Sequence, residues 1–256
     1  MAGSTEYIEL IDKLAEVVDS VDAIMAGVGG NTAVTSSSFR NESDEKRWAS
    51  LAIHYHHLET VPVGQTYESL GSIVEGKRFH VVTTDQDVRL VRQFGEEHLS
   101  YIHGDERFFQ CAKQCHDELY PAGDIVSPLY DSIKDDEIPT ELVPRCPKCG
   151  ADMEPWVYGY HFLEGERYRA EYGKWEDFVL GSQQDKVLFM EIGVRSRYRE
   201  LIRQPFFHFA MGFPGSWYVN INPENTVVPF ELEDHAFAIP FEVARVLADT
   251  ANRLGR

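Results

Sequence analysis

Long apolar runs are missing from this chain. No stretch approaches the ~18 uncharged residues that a membrane-spanning helix needs, so a membrane protein of that kind is not expected. Basic residues are scarce too: 24 Lys and Arg stand against 42 Asp and Glu, a formal net charge of -18. A nucleic-acid binder needs a basic surface to displace counterions, so nucleic acid is not an expected partner, whereas cationic partners are favoured. The opening Met-Ala-Gly-Ser-Thr-Glu lacks the basic and apolar regions of a secretory signal, and the expected address is cytoplasmic. No internal repeat or low-complexity linker breaks the sequence.

Cysteine is also rare, with only four among 256 residues, but their placement is informative. Cys111 and Cys115 enclose three residues; Cys146 and Cys149 enclose Pro147-Lys148 within Pro-Arg-Cys-Pro-Lys-Cys-Gly. The second pair reads as a knuckle, a tight turn on which two thiolates and nearby amides converge on one ion. Four sulfurs suit the tetrahedral preference of Zn²⁺, and a closed four-cysteine set leaves no position open for substrate, so a structural zinc site is expected. In a cytosolic chain this spacing favours metal over disulfides. Two redox pairs or buried free thiols are the rival readings.

Periodicity supplies the rest of the frame. Tyr7, Ile8, Ile11, Leu14, Val17 and Val18 recur at helical spacing and predict an amphipathic helix over 5–20. The short apolar run Ala23-Ile24-Met25-Ala26 leads into Gly27-Val28-Gly29-Gly30, a strand followed by a glycine turn. Further strands are predicted over 79–84, 187–193 and 217–222, and a closing helix over 241–254. Strands that are short, apolar and separated by helical stretches predict an α/β fold, a Rossmann-like doubly wound parallel sheet covered on both faces. Ligands of such sheets lie beyond the carboxyl ends of the strands. Residues 40–75 read as a helical flap, and 105–175, which hold all four cysteines, as an inserted zinc-binding small domain; 1–104 and 176–256 form the sheet domain. His54, His56 and His57 lie in a predicted helix, with no acidic partner evident, and read as structural.

The glycine turn lacks the third glycine of the common dinucleotide fingerprint and alone is a weak signal. Its order with the other motifs is more specific. Phe39 and Arg40 follow Gly27 and Gly29 at the interval of a Gly-Ala-Gly … Phe-Arg segment; Thr83-Thr84-Asp85-Gln86-Asp87 parallels a Thr-Gln-Asn-x-Asp motif; His103-Gly104 precedes Cys111 by eight residues; the knuckle and then Ile221-Asn222 follow. In these motifs the chain resembles the sirtuins, NAD-dependent enzymes with a zinc-ribbon insert. Stretches such as Gln110-Cys111, Phe162-Leu163-Glu164-Gly165 and Gln204-Pro205-Phe206 resemble the class M, macrodomain-linked sirtuins.

The resemblance implies protein ADP-ribosylation with NAD, a lipoylated carrier as acceptor and a macrodomain as partner. It implies that Gly27, Val28 and Gly29 admit the NAD pyrophosphate, that Phe39 and Arg40 cover the nicotinamide side, and that Asp87 accepts from the carboxamide. Thr84, Gly193 and Asn222 complete the implied cofactor set. His103 would be the base, a role suited to a neutral imidazole near pH 7. Asp85 stands where the family has asparagine; as a carboxylate it would stabilise an oxocarbenium-like centre by charge. Where deacetylases carry Val-x-Phe-Gly-Glu, this chain has Trp156-Val157-Tyr158-Gly159-Tyr160. NAD hydrolysis, NAD-dependent deacylation and an NAD- or ADP-ribose-binding module without turnover remain the alternatives.

Overall fold

The computed structural model describes residues 2–29, 42–224, 226–232 and 234–256. Helix α1 (Ala2–Ser20) buries Tyr7, Ile11, Leu14, Val17 and Val18, one stripe at 3.6-residue spacing, and leaves Ile8 exposed. The strand that follows, β1 (Ala23–Val28), is buried along its whole length. It is the inner partner of two parallel neighbours, β2 (Arg78–Thr83) and β7 (Val187–Ile192). Beyond them lie β3 (Leu99–Tyr101) on one side and β8 (Trp217–Ile221) and β9 (Ala236–Ile239) on the other. The six-stranded order is β3-β2-β1-β7-β8-β9, and every pairing is parallel.

Alternation along the inner strands explains how one sheet serves two cores. Ile24, Ala26, Val28, Leu188, Met190 and Ile192 face one apolar layer with α1, α3 (Gln65–Val74), α4 (Arg89–Phe94) and α8 (Val243–Leu254). Ala23, Met25, Val187 and Phe189 face the other, with α6 (Glu166–Gly181) and α7 (Arg203–Gly212). Side chains of successive strand residues point to opposite faces, so strands covered on both sides must be apolar throughout. One exception sits inside β7: Glu191, fully buried, accepts from Arg203 Nε at 3.1 and 3.0 Å and from the Tyr218 hydroxyl at 2.6 Å. A buried carboxylate is tolerable only when so paired, and the pairing ties α7 to the sheet.

A second, antiparallel sheet has the order β5-β4-β6, formed by β4 (Gly104–Cys111), β5 (Tyr120–Pro121) and β6 (Met153–Val157). Helices α2 (Asp44–Thr60) and α5 (Ala122–Tyr130) pack with it in a third apolar cluster. Trp48 stacks on Phe109 there, ring centroids 5.1 Å apart, and Cys111 and Cys146 belong to the same cluster. Thus the helical stretch expected as a flap contributes α2 to the small layer and α3 to the large one. Residue 175, the expected edge of the insert, falls within α6, whose Trp175 and Val179 pack on the large sheet. Among the described residues no helix is long and apolar enough to cross a membrane.

Candidate functional site

The chain runs β1-β2-β3 outward on one side of β1 and β7-β8-β9 outward on the other, so the strand order reverses between β1 and β7. Crevices beyond such a reversal are where open α/β sheets bind ligands. A cavity of about 310 Å³ lies there, lined by Val28, Gly29, Gly64, Tyr67, Arg89 and Gly193 among others. Gly29 is required by its neighbour: a Cβ there would sit 2.5 Å from Gly193 O, so only glycine lets the two strand exits touch. The Gly29 amide donates to Ile192 O at 2.9 Å, and Gly193 itself turns with φ +62°. Gly27 leaves room for α7 and the residue before it, since a Cβ would lie 2.3 Å from Ile202 Cγ2 and 2.9 Å from Phe206 Cε2.

Beyond β2 the segment Thr84-Asp85-Gln86-Asp87 is buried, an unusual density of polar side chains. Backbone and hydroxyl bonds fix it: Thr84 N donates to Val28 O at 3.1 Å, and Thr83 Oγ1 to the same carbonyl at 3.0 Å. Asp87 is paired with Arg89, whose Nε reaches its two carboxylate oxygens at 3.0 and 2.8 Å. Tyr67 Oη lies 3.2 Å from Asp85 Oδ2 and 3.3 Å from Asp87 Oδ2, one phenolic proton between two acceptors. Thr84 Oγ1 and Asp85 Oδ1 are buried with no hydrogen-bond partner among the described residues. Buried polar atoms are normally satisfied, so these two call for a ligand or water.

Desolvation, and after it the negative charge of Asp87, push the Asp85 carboxyl up to about 6, against the pull of the Tyr67 hydroxyl. An unfolded aspartate ionises near ~3.9. Between those values the folded chain binds more protons than the unfolded one, so Asp85 makes stability fall as pH rises from about 4 to about 6. Asp85→Asn is therefore expected to be more stable than the wild type at pH 7.5, by on the order of 2 kcal/mol. The two should converge near pH 4. Urea midpoints at both values measure this, and coincident midpoints at pH 7.5 would contradict it.

His103 is drawn to the same place. Its carbonyl accepts from Gln86 Nε2 at 3.0 Å and from Tyr158 N at 2.8 Å, which ties it to the Asp85–Asp87 segment on one side and to the small sheet on the other. Gly104 makes the turn from one sheet to the other: φ is +83°, and a Cβ would lie 2.2 Å from Trp156 O. The buried imidazole is held flat against Tyr158 and edge-on to Tyr198. Asn222 laces the exits of β7 and β8, donating to Val194 O at 3.0 Å and accepting from Glu224 N at 3.0 Å. Thus Gly27, Val28, Gly29, Thr84, Asp85, Asp87, Gly193 and Asn222 all lie at strand ends of one sheet, with His103 tethered to them. Phe39 and Arg40 lie outside the described residues.

The cysteines form a single cluster. Cys111 Sγ is 3.6 Å from Cys149 Sγ, Cys115 Sγ is 3.7 Å from Cys146 Sγ, and all four sulfurs lie within 4.8 Å of one another. A tetrahedron of thiolates at 2.3 Å from a metal has edges of about 3.8 Å, whereas a disulfide needs about 2.05 Å. The donor set fits a tetrahedral metal and contains no disulfide. Gly150 (φ +70°) closes the knuckle by donating to Cys146 O at 2.8 Å.

Two features were hidden from sequence. His116 Nδ1 lies 2.9 Å from Cys115 Sγ and its Nε2 2.8 Å from Tyr120 Oη, a layer behind the thiols that the motif spacing does not signal. His54, for which no acid was evident, meets buried Glu106 at 3.2 Å, and His56 stacks on Tyr130.

No protein-family profile matches the chain. It is similar to the protein ADP-ribosyltransferase of Staphylococcus aureus strain Mu50, 26% identical over 267 aligned positions that cover 91% of this chain and 84% of that protein. Among solved structures it resembles a Sir2 homologue in complex with NAD, with TM-score 0.59 and 12% identity over 95% of this chain and 93% of that one. A Sir2 homologue mutant in complex with ADP-ribose gives TM-score 0.60 at 12% identity, covering 95% and 96%. A Sir2 protein bound to a myristoylated histone peptide gives 0.56 at 16% identity, covering 95% of each.

Proposed function

We propose that this chain, whose fold is that of the Sir2 enzymes, is an NAD-dependent protein ADP-ribosyltransferase. The observation that carries the reading is the constellation at the β1/β7 reversal: a glycine-lined cavity flanked by Thr84 and Asp85, whose Oγ1 and Oδ1 have no hydrogen-bond partner among the described residues, with His103 tethered alongside. The NAD- and ADP-ribose-bound Sir2 structures of the same fold and the name of the staphylococcal relative support it.

In this reading NAD is the substrate, and residues 1–104 and 176–256 hold it. Gly27, Val28 and Gly29 let the backbone approach the pyrophosphate, Gly193 gives close passage near a ribose or phosphate, Asn222 serves the adenosine half, Phe39, Arg40 and Asp87 serve the nicotinamide side, and Thr84 completes the set. Asp85 offers negative charge where positive charge develops as the nicotinamide–ribose bond loosens, a form of preorganised electrostatic stabilisation. His103 takes the proton of the incoming acceptor group. A protein acceptor, with a lipoylated carrier as the first candidate and a macrodomain as a further partner, fits the resemblance to the class M sirtuins. Nicotinamide release from NAD by the purified chain, with and without lipoylated carrier, tests the reading; no release in either case would refute it.

One observation favours hydrolysis as the second reading. Asp85 Oδ1 is buried and open to a donor, which water could be. Nicotinamide release at equal rate with and without acceptor, and no labelled protein, would select it. Deacylation has less support, because Tyr158-Gly159-Tyr160 replaces the clamp expected for an acyl-lysine peptide. A chain that binds NAD but releases no nicotinamide would be a binding module.

Residues 105–175 hold the metal in this proposal, taken to be Zn²⁺, which supplies structure and no chemistry. Nδ1–H of His116 donates to the Cys115 thiolate when Tyr120 donates to Nε2, and such outer partners commonly tune affinity 10–100-fold. His116→Ala should therefore release zinc to a chromogenic chelator about tenfold faster than the wild type. An unchanged release rate would remove His116 from the metal's support.

A further inference from the structure

Resting on the transfer reading above, we infer that Tyr158 decides between acceptor and water by covering the face of His103. The two rings are nearly parallel, with centroids 4.4 Å apart and planes at 13°. The exposures differ sharply: His103 is 2% exposed, whereas Tyr158 is 54% exposed. A half-exposed ring laid flat on a buried imidazole separates that face from solvent.

Two contacts hold the cover, and a third ring packs on the imidazole itself. Tyr158 N donates to His103 O at 2.8 Å, which fixes the tyrosine backbone against the histidine. Phe162 lies behind the phenol, centroids 5.9 Å apart. Tyr198 closes the imidazole from a second side, edge-on at 4.7 Å and 79°. Aromatic pairs of these geometries are favourable beyond their burial. With two rings packed against it, the imidazole is shielded from solvent on the face that Tyr158 covers.

The chemical consequence concerns partition. When the nicotinamide–ribose C–N bond breaks, the pyridine nitrogen keeps the electron pair and nicotinamide leaves neutral. The anomeric carbon then accepts a lone pair from an oxygen, nitrogen or sulfur nucleophile, whose proton passes to His103. If the nucleophile is water, the product is free ADP-ribose. Excluding water from the base suppresses that branch. Tyr158 is thus a specificity-determining residue, acting through His103.

Methanol serves as a defined acceptor. NAD is turned over in aqueous methanol, and methyl-ADP-ribose and ADP-ribose are separated and counted, with nicotinamide as the total. Tyr158→Ser is expected to lower the methyl-ADP-ribose to ADP-ribose ratio about fivefold, while Tyr158→Phe stays within about twofold of the wild type. Tyr158→Leu, which keeps apolar bulk without the flat ring, should fall between and carries the comparison if the serine variant fails to fold. A Ser or Leu ratio equal to that of the wild type would overturn the inference while leaving NAD cleavage standing. No nicotinamide from the wild type would instead remove the transfer reading and this inference with it.

Discussion

His103→Ala is expected to slow NAD-dependent nicotinamide release and acceptor labelling by a factor of about 10²–10⁴, the range lost when a positioned acid–base group is removed. NAD binding should change little, because the contacts that tether residue 103 are made by its carbonyl, which alanine keeps. The loss should therefore appear in kcat with KM for NAD near its wild-type value, the mark of an interaction used on the way to the transition state. Calorimetric NAD binding beside initial-rate kinetics separates the two. Equal kcat for the variant and wild type would mean that the imidazole takes no proton in the limiting step.

Removing the metal is expected to have the largest effect on stability. Cys111 and Cys146 are buried in the cluster that also holds Trp48, Phe109, Val126 and Met153. Without the ion, that cluster must accommodate crowded thiols whose mutual repulsion grows as they ionise. Structural zinc sites contribute folding free energy directly, and for a chain of this size each 1 kcal/mol is about 2–4 °C in Tm. Cys146→Ser, or a strong chelator, should therefore lower Tm by more than about 10 °C. Activity should fall with it, since His103 immediately precedes β4, which ends at Cys111. A metal-free chain with unchanged Tm would show that the thiols carry no structural ion.

Much of the frame could be read from apolar periodicity. α1, β1, β2, β7, β8 and α8 each present a run long enough to carry its own signal. β3, three residues long, and β9, four residues long, do not. β4 escaped for a different reason: Gly-Asp-Glu-Arg-Phe-Phe-Gln-Cys looks like a loop, yet Asp105 and Glu106 are buried. Arg107 Nε meets Asp105 at 3.0 and 2.9 Å, and His54 meets Glu106, so the charges that argue against a strand are satisfied by tertiary partners. Glu191 is the same lesson in reverse, an acid hidden in an apolar run and paired with an arginine twelve residues on.

The site divides in the same way. Cysteine spacing carried the metal cluster, because knuckle geometry is local. The strand-end set was legible once the strands were placed, since the fold puts their carboxyl ends together. What sequence could not show was the use of each residue. Gly29 is glycine because Gly193 O is its neighbour, and Tyr158 lies on His103 through a contact spanning 55 residues.

In the proposed reaction the chain breaks NAD at the nicotinamide–ribose bond and moves the rest of the molecule to protein. The most direct measurement follows two labels in one incubation with the lipoylated carrier, one in nicotinamide and one in adenine. Nicotinamide label is expected free in solution and adenine label bound to protein in equal amount, both lost in His103→Ala. Both labels remaining in intact NAD would contradict it, as would adenine label recovered only as free ADP-ribose.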